Sequence, residues 1–376
     1  MDMPSQSQRL SRLVPLAEVL ARVEAITQAV APRVVDVEKA GGRVLAADVV
    51  ADAPLPARAI ALTDGWAVAS DSVGDANPYA PVMLTPAPAF VETGEALPPG
   101  TDAVVPFDAV VVRGAIAEAL ASAAPGDGVL AAGADSDPQR PLRRAGQKLR
   151  AIDIAVLRAA GIAEVSVREP RVVVICATLP EGAVDVVGPL IAAAIEGAGG
   201  VALIKRAHGN SEAFEGPLKD DGADAALVIG GTGAGPRDTS VRMLAHVGRV
   251  DVHGIALRPG ETAALGAVDA RPVLLLPGRL DAALAVWLTV GRALMARLTS
   301  ASEAEPARTA TLARKIASAI GLAEIVPVAT CEGGVGPLAS GYFPLQTLAR
   351  AEGWIMIAPD SEGFAEGSSV EVMPFP

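Results

Sequence analysis

The sequence predicts an α/β plus β chain of several domains, and three observations carry that reading. Beyond Pro170, buried-looking strands alternate with helical patterns, which is the signature of a parallel sheet covered by helices. Between about Ala51 and Leu130 the texture is instead one of short β-branched runs broken by Pro and Gly clusters. The length, 376 residues, is enough for two or three folding units at about 150 residues each.

Taken in order, Pro15 opens a segment in which Leu16, Val19, Leu20, Val23, Ile26 and Val30 recur at helical spacing, so one face should be buried. The β segment follows with Val82-Met83-Leu84, Ala103-Val104-Val105 and Val110-Val111-Val112 as its strands. A basic patch, Arg140-Pro141-Leu142-Arg143-Arg144, precedes a short helix over 152–160 that Gly161 should stop. The sheet region reads strand 171–177, helix 186–195, strand 201–204, strand 225–229, helix 238–246, strand 272–276 and a long helix 280–298. An Ala/Glu/Pro linker through Pro306 leads to strand-like runs at 325–328, 354–357 and 369–373, a terminal β domain. The predicted division is 7–51 with 131–169 as a discontinuous helical and linker domain, 52–130 as an inserted β domain, 170–300 as the α/β domain and 307–376 as the C-terminal β domain.

Composition excludes several function classes. The net charge is −12, so a surface that neutralises many phosphates of a nucleic acid is not expected. Aromatics are scarce, with 6 Phe, 3 Trp and 2 Tyr, which leaves little material for base-stacking platforms. Cys176 and Cys331 lie far apart without a CxxC pair, and His208, His246 and His253 match no metalloprotease spacing, so neither a disulfide framework nor structural zinc is predicted. The polar start does not read as a signal peptide, and the best apolar run, 282–290, ends at Gly291-Arg292. A cytoplasmic protein with no membrane partner is expected.

The sharpest motif is Gly230-Gly231-Thr232-Gly233-Ala234-Gly235-Pro236-Arg237-Asp238, after a buried strand and before a helix. Glycines let such a backbone turn tightly and aim several N–H groups at one spot, and a helix start favours an anion, so the loop reads as a phosphate cradle. It has neither the GK[ST] of a Walker A loop nor the spacing of GxGxxG. It is also readable as a glycine-rich turn with Asp238 capping the helix. Leu257-Arg258-Pro259-Gly260 and Leu276-Pro277-Gly278-Arg279 each set an arginine beside a Pro-Gly turn at a strand end, where a guanidinium can grip phosphate or carboxylate, or else be a solvated loop charge. Thr63-Asp64-Gly65-Trp66-Ala67 and the stretch from Glu92 to Val105 read, taken alone, as ordinary turn chemistry.

In this order the motifs make the chain resemble the molybdopterin molybdenumtransferase family, the MoeA and gephyrin E-domain group, over nearly its whole length. The family's DGYA-type motif appears as Asp64-Gly65-Trp66-Ala67, its TGxPLPxGxDAVV as Thr93 to Val105, its GGxSxGxxD loop as Gly230 to Asp238, its KPG turn as Arg258-Pro259-Gly260 and its LPGNP turn as Leu276-Pro277-Gly278. The resemblance implies an elongated homodimer with a MogA-like parallel-sheet domain, a small inserted β domain and a C-terminal β-barrel domain. It further implies a Mg²⁺-dependent insertion of molybdate into adenylated molybdopterin with release of AMP. By motif, Asp64, Thr93, Asp135 and Asp238 match catalytic positions, the three carboxylates Asp64, Asp135 and Asp238 being the metal holders. Gly230, Gly231, Thr232, Gly233, Gly235, Arg258, Pro277, Gly278 and Arg279 fall to molybdopterin and phosphate binding. A molybdoenzyme or another protein of the cofactor pathway is the implied partner.

The chain departs from the family where STGDEL is replaced by Cys176-Ala177-Thr178-Leu179-Pro180-Glu181, where an acidic position reads Arg206-Ala207-His208, and where the second proline of LPGNP falls at Leu280. The lysine before the KPG turn falls at His253 or Gly254, and the lysine of that turn is Arg258. These departures leave open a catalytically degenerate carrier or insertion factor for molybdopterin; the resemblance to the gephyrin branch separately implies a scaffold or interaction protein as an alternative.

Overall fold

A computed structural model of the chain describes residues 8, 10, 12–177, 184–207, 212–219, 222–236, 238–302 and 307–376. Contacts divide the chain into two compact units, one of 1–47, 145–151 and 164–376 and the other of 48–144 with 152–163.

The second unit is built from small β-branched and alanine side chains. Gly65–Val68 is flanked antiparallel by Ala89–Val91 and Ala103–Pro106, and Ile116–Ala119 by Val82–Leu84 and Val110–Arg113. Val68, Val73, Val105, Val110 and Ala117 fill its core. Three of the chain's few aromatics, Trp66, Phe90 and Phe107, pack on one another, with Trp66 edge-on to Phe90 at 5.3 Å between ring centroids. Part of the basic patch is structural, since Arg143 Nε lies 3.7 Å from the buried carboxylate of Asp153.

In the first unit the helix Leu16–Ile26 starts right after Pro15 and, of the predicted stripe, buries Leu16, Val19 and Val23, with Leu20 and Ile26 partly buried; Val30 lies beyond its end. Each such side chain stabilises by roughly 1.5–3 kcal/mol when taken fully from water. The sheet region runs β1 (Arg171–Ala177), α1 (Val187–Gly197), β2 (Val201–Ala207), α2 (Glu212–Leu218), β3 (Ala225–Ile229), α3 (Ser240–Val247), β4 (Arg249–His253), β5 (Ile255–Arg258), β6 (Ala264–Val268), β7 (Arg271–Leu276) and α4 (Leu280–Val286).

Six of these strands form one sheet in the order β2-β1-β3-β7-β6-β4. The first four pair in parallel, as the alternating pattern predicts, and β3 and β7 are buried along almost their whole length. β6 and β4 are added antiparallel at one side, so the sheet is mixed rather than purely parallel. β6 and β7 are joined by a tight turn, and a short connection can return a strand only antiparallel, whereas the chain between β4 and β6 first passes through β5. β5 leaves this sheet and pairs in parallel with Val14–Pro15 and with Ala323–Cys331, which carries the C-terminal strands Gly334–Pro337 and Gly353–Ile357.

The helix expected at 280–298 is one run from Leu280 to Thr299 that widens to a π-type turn at Trp287–Gly291 and ends at Ser300, whose φ is +53°. By length and composition this run could cross a membrane, yet 72% of its apolar window is buried inside the protein. Val286, Trp287, Val290, Leu294 and Met295 are among the core residues beneath the sheet, which makes it a core helix.

Candidate functional site

Strand register decides where the cavity lies. Cys176 of β1 pairs with Ile229 of β3, and Ile229 with Leu276 of β7, so three neighbouring parallel strands end level. The loops that follow β3 and β7 therefore emerge side by side at the carboxyl edge, the usual ligand crevice of an open α/β sheet. There a cavity of about 340 Å³ is lined by Gly231, Thr232, Gly233 and Asp238 from one loop, Pro277, Gly278 and Arg279 from the other, and Gly260, Glu261 and Thr262 from the turn after β5.

The glycine loop is held closely. Gly230 and Gly231 have φ of +91° and +71°, the left-handed region that favours glycine. A Cβ on Gly231 would stand 2.5 Å from Ser240 Oγ, which itself donates to the carbonyl of Gly230 at 2.7 Å. The Gln8 amide donates to the carbonyls of Gly231 and Gly233 at 2.7 and 2.8 Å, His253 Nε2 meets the Thr232 carbonyl at 3.1 Å, and the hydroxyls of Thr232 and Thr262 are 2.9 Å apart. Gly278 packs against Gly230, where a Cβ would lie 3.4 Å from Gly230 Cα.

Two expectations for this loop are corrected. The helix begins at Ser240, not at 238, and Asp238 does not cap it: its Oδ2 accepts the N–H of Gly235 at 2.8 Å. The five-residue stretch from Gly235 to Thr239 includes Pro236, whose missing N–H and fixed φ favour a turn, and Asp238 closes that turn. The cradle is consequently smaller than the glycine count implies. The N–H of Gly235 is taken by Asp238 and that of Gly230 by the Leu276 carbonyl, so the lining comes from Gly231, Thr232 and Gly233. Arg237 lies outside the described residues.

The arginines also differ. Arg258 is not among the lining residues; its Nε bonds Glu261 Oε1 at 3.2 Å, while the other oxygen of Glu261 takes the Gly260 N–H at 3.0 Å. A carboxylate three residues on, across the Pro-Gly turn, captures the guanidinium that was expected to face a ligand. Arg279 does line the cavity. Asp281, 2% exposed, takes its Nε and Nη2 at 2.9 and 2.7 Å, a bidentate bond that raises the pKa of the guanidinium further.

Asp64, Thr93 and Asp135 belong to the other unit, apart from the Asp238 loop in the division of the chain. Asp64 Oδ1 accepts both the N–H and the hydroxyl of Thr93, at 2.7 and 2.8 Å, and these bonds hold its carboxyl below the ordinary range, the backbone bond most strongly. The two motifs thus meet across the pairing of Gly65 with Val91. Asp135 is exposed, its N–H donating to the Leu55 carbonyl at 2.8 Å. Among the described residues no three His, Cys, Asp or Glu side chains converge as a metal site.

At the place of the STGDEL motif, only Cys176 and Ala177 are described; 178–183, with Glu181, and His208 lie outside the described residues. Cys176 is buried, and desolvation, with a bond to Asp185, pushes its thiol up to about 12. Gln8, Ser240, Glu261, Thr262 and Asp281 were not singled out in the sequence. Asp281 alone carried a signal, an acid two residues beyond the Pro-Gly-Arg turn.

Fold and site together define a class: a chain with an α/β part whose mostly parallel sheet carries a cavity of about 340 Å³ at its carboxyl edge, together with β-rich parts. Family models agree in all three parts. The MoeA N-terminal region, domains I and II, matches residues 14–161, a domain described as "Probable molybdopterin binding domain" matches 171–297, and the MoeA C-terminal region, domain IV, matches 309–375. The chain belongs to the MoeA family of molybdenum cofactor biosynthesis proteins. Among its relatives is molybdopterin molybdenumtransferase 1 of Mycobacterium tuberculosis, 29% identical over 94% of this chain and 97% of that protein. The crystal structure of a molybdopterin biosynthesis MoeA protein from Pyrococcus horikoshii is 27% identical, with a TM-score of 0.76 over 97% of this chain and all of that one. A second structure of a MoeA protein from that organism, 24% identical with a TM-score of 0.77, shows the same fold.

Proposed function

We propose that the chain is a molybdopterin molybdenumtransferase that binds adenylated molybdopterin in the cavity beside Gly231, releases AMP in a Mg²⁺-dependent step and transfers molybdate to the pterin's dithiolene sulfurs. The observation that carries this reading is the cavity itself, which a short glycine lining and Arg279 share from adjacent loops. Gly231 and Gly233 put backbone on the cavity wall, while the space a Cβ would take at each is filled by Ser240 and Asp238. Arg279 supplies positive charge against an otherwise acidic surface, with a planar donor set suited to phosphate.

Mg²⁺ is commonly held by one or two carboxylates with the remaining positions filled by phosphate oxygens and water. Asp238 offers one such carboxylate on the cavity wall, so the residues present fit a cation brought in with the substrate. Such a cation would neutralise charge on the phosphate oxygens. Asp238 itself is oriented by its bond to Gly235, and the Gln8 amide holds the loop by donating to the Gly231 and Gly233 carbonyls. The resemblance further assigns Asp64, Thr93 and Asp135 to the reaction, as groups of a homodimeric cytoplasmic enzyme.

The test is incubation of the purified chain with adenylated molybdopterin, Mg²⁺ and molybdate, following AMP by chromatography and active cofactor by reconstitution of a molybdoenzyme. AMP release that requires Mg²⁺ and collapses in Asp238→Asn supports the enzyme. Tight pterin binding with no AMP at any molybdate concentration would replace it with the carrier reading.

A further inference from the structure

Arg279 stands where the LPGNP motif has asparagine, so this chain has a cation at a position that is neutral and short in the motif. A long, 60% exposed side chain would ordinarily sample many rotamers, but this guanidinium is fixed on two sides. One edge, Nε and Nη2, is taken by the buried carboxylate of Asp281. One face lies over the Tyr342 ring, 5.2 Å from its centroid.

The ring is itself tethered. Asp281 Oδ2 also accepts the N–H of Phe343 at 3.2 Å, next to Tyr342. On the other side, Glu324, 2% exposed, accepts the Gly341 N–H at 3.0 Å and the hydroxyls of Ser340 and Ser318. The turn through 340–343 is thereby anchored on both flanks to buried carboxylates.

We propose that Tyr342, from the C-terminal part of the chain, is a positioning residue for Arg279. It keeps the Nη1 hydrogens, on the edge opposite Asp281, directed at the phosphate or pyrophosphate end of a ligand in the cavity. This deepens the reading above and rests on it for the identity of the ligand, but not for the anion chemistry. It gives the C-terminal domain a part in a site otherwise built by the sheet domain.

The test is a double-mutant cycle on the full chain, read as Kd for two probes, molybdopterin and inorganic pyrophosphate. Tyr342→Leu is expected to weaken both by about three- to fivefold, the usual scale of an exposed cation–π contact, while Tyr342→Phe stays within about twofold because the ring remains. In an Arg279→Gln background, Tyr342→Leu should cause no further loss. Tyr342 is exposed, so its variants are expected to melt as the parent does, which thermal unfolding checks. Equal losses for Phe and Leu, or a loss from Tyr342→Leu that persists without Arg279, overturn the proposal, as does failure to bind pyrophosphate. Pyrophosphate binding that follows the cycle while molybdopterin does not bind sinks the assigned ligand and leaves the positioning role standing.

Discussion

The carboxylate of Asp238 folds back on its own loop and accepts the N–H of Gly235 at 2.8 Å, so the residue expected to start a helix instead closes the turn that walls the cavity. Gly233 and Gly235 make room for it. A Cβ on Gly233 would fall 2.8 Å from Asp238 Oδ2, whereas one on Gly231 would meet Ser240 Oγ at 2.5 Å in a backbone of positive φ. The two alanine substitutions should therefore separate binding from stability. Gly231→Ala is expected to cost about 1–2 kcal/mol in chemical denaturation, from the left-handed backbone alone. Gly233→Ala has no positive φ to strain and should cost less, about 0.5–1.5 kcal/mol for the displaced Asp238–Gly235 hydrogen bond. Its molybdopterin affinity should nonetheless drop about tenfold, because Asp238 must swing aside. Undiminished affinity in Gly233→Ala would show that the observed place of Asp238 is not needed for binding.

The pairing of Asp64 with Thr93 carries a pH signature. Its carboxyl is lowered by the backbone N–H first and the hydroxyl second. A depressed folded-state pKa means that the bonds stabilise the folded chain at pH above the ordinary carboxylate value, and that this contribution is lost as pH falls through the lowered one. Thr93→Val removes only the hydroxyl. The Asp64 carboxyl followed by NMR titration should then move part of the way back up, keeping the backbone share. A titration unchanged in Thr93→Val would contradict the hydroxyl bond.

Much of this arrangement was legible in the sequence because it is local. Long apolar runs such as Ala225–Ile229 and Arg271–Leu276 leave few alternatives to a buried parallel strand, and the order of motifs identified the family. Asp64 and Thr93 were each noticed, but their contact depends on antiparallel register between segments that are remote in sequence. β4 and β6 were not legible because β4 carries Arg249, Asp251 and His253 in a short run bracketed by Gly248 and Gly254, and β6 has Gly266 at its centre, so strand pairing there comes from neighbours rather than propensity. The partner of Arg258 was not legible for a related reason: whether an arginine faces a ligand or a carboxylate three residues on depends on how the Pro-Gly turn folds, and here it meets Glu261.

Cys176 and Cys331 should differ sharply in reactivity. The thiolate is the reactive form, and burial with Asp185 alongside pushes Cys176 up to about 12, while Cys331 is exposed. At pH 8 the native chain is expected to release one equivalent of thionitrobenzoate from Ellman's reagent quickly, and a second only on unfolding. Asp185→Asn removes a charge that raises the Cys176 pKa, so slow native labelling at that site should become measurable. Two fast equivalents from the native parent would mean that Cys176 is not shielded as observed.

Asp281 joins the binding loop to the C-terminal turn, and its substitutions should reveal which link matters for folding. Its partner Arg279 is 60% exposed on the side chain, so the ion pair as such contributes only about 0–1 kcal/mol after screening. The N–H of Phe343 is different, because Phe343 is 2% exposed and an unsatisfied buried donor costs about 1–3 kcal/mol. Asp281→Ala should thus destabilise by about 1–3 kcal/mol in thermal or urea unfolding. Asp281→Asn retains an acceptor for Phe343 and should lose about 1 kcal/mol or less. For ligand binding the ranking changes, since either substitution breaks the bidentate hold on Arg279 and both should weaken pyrophosphate by similar factors. If Asn and Ala were equally destabilising, the charge rather than the buried acceptor would be what holds the 340–343 turn in place.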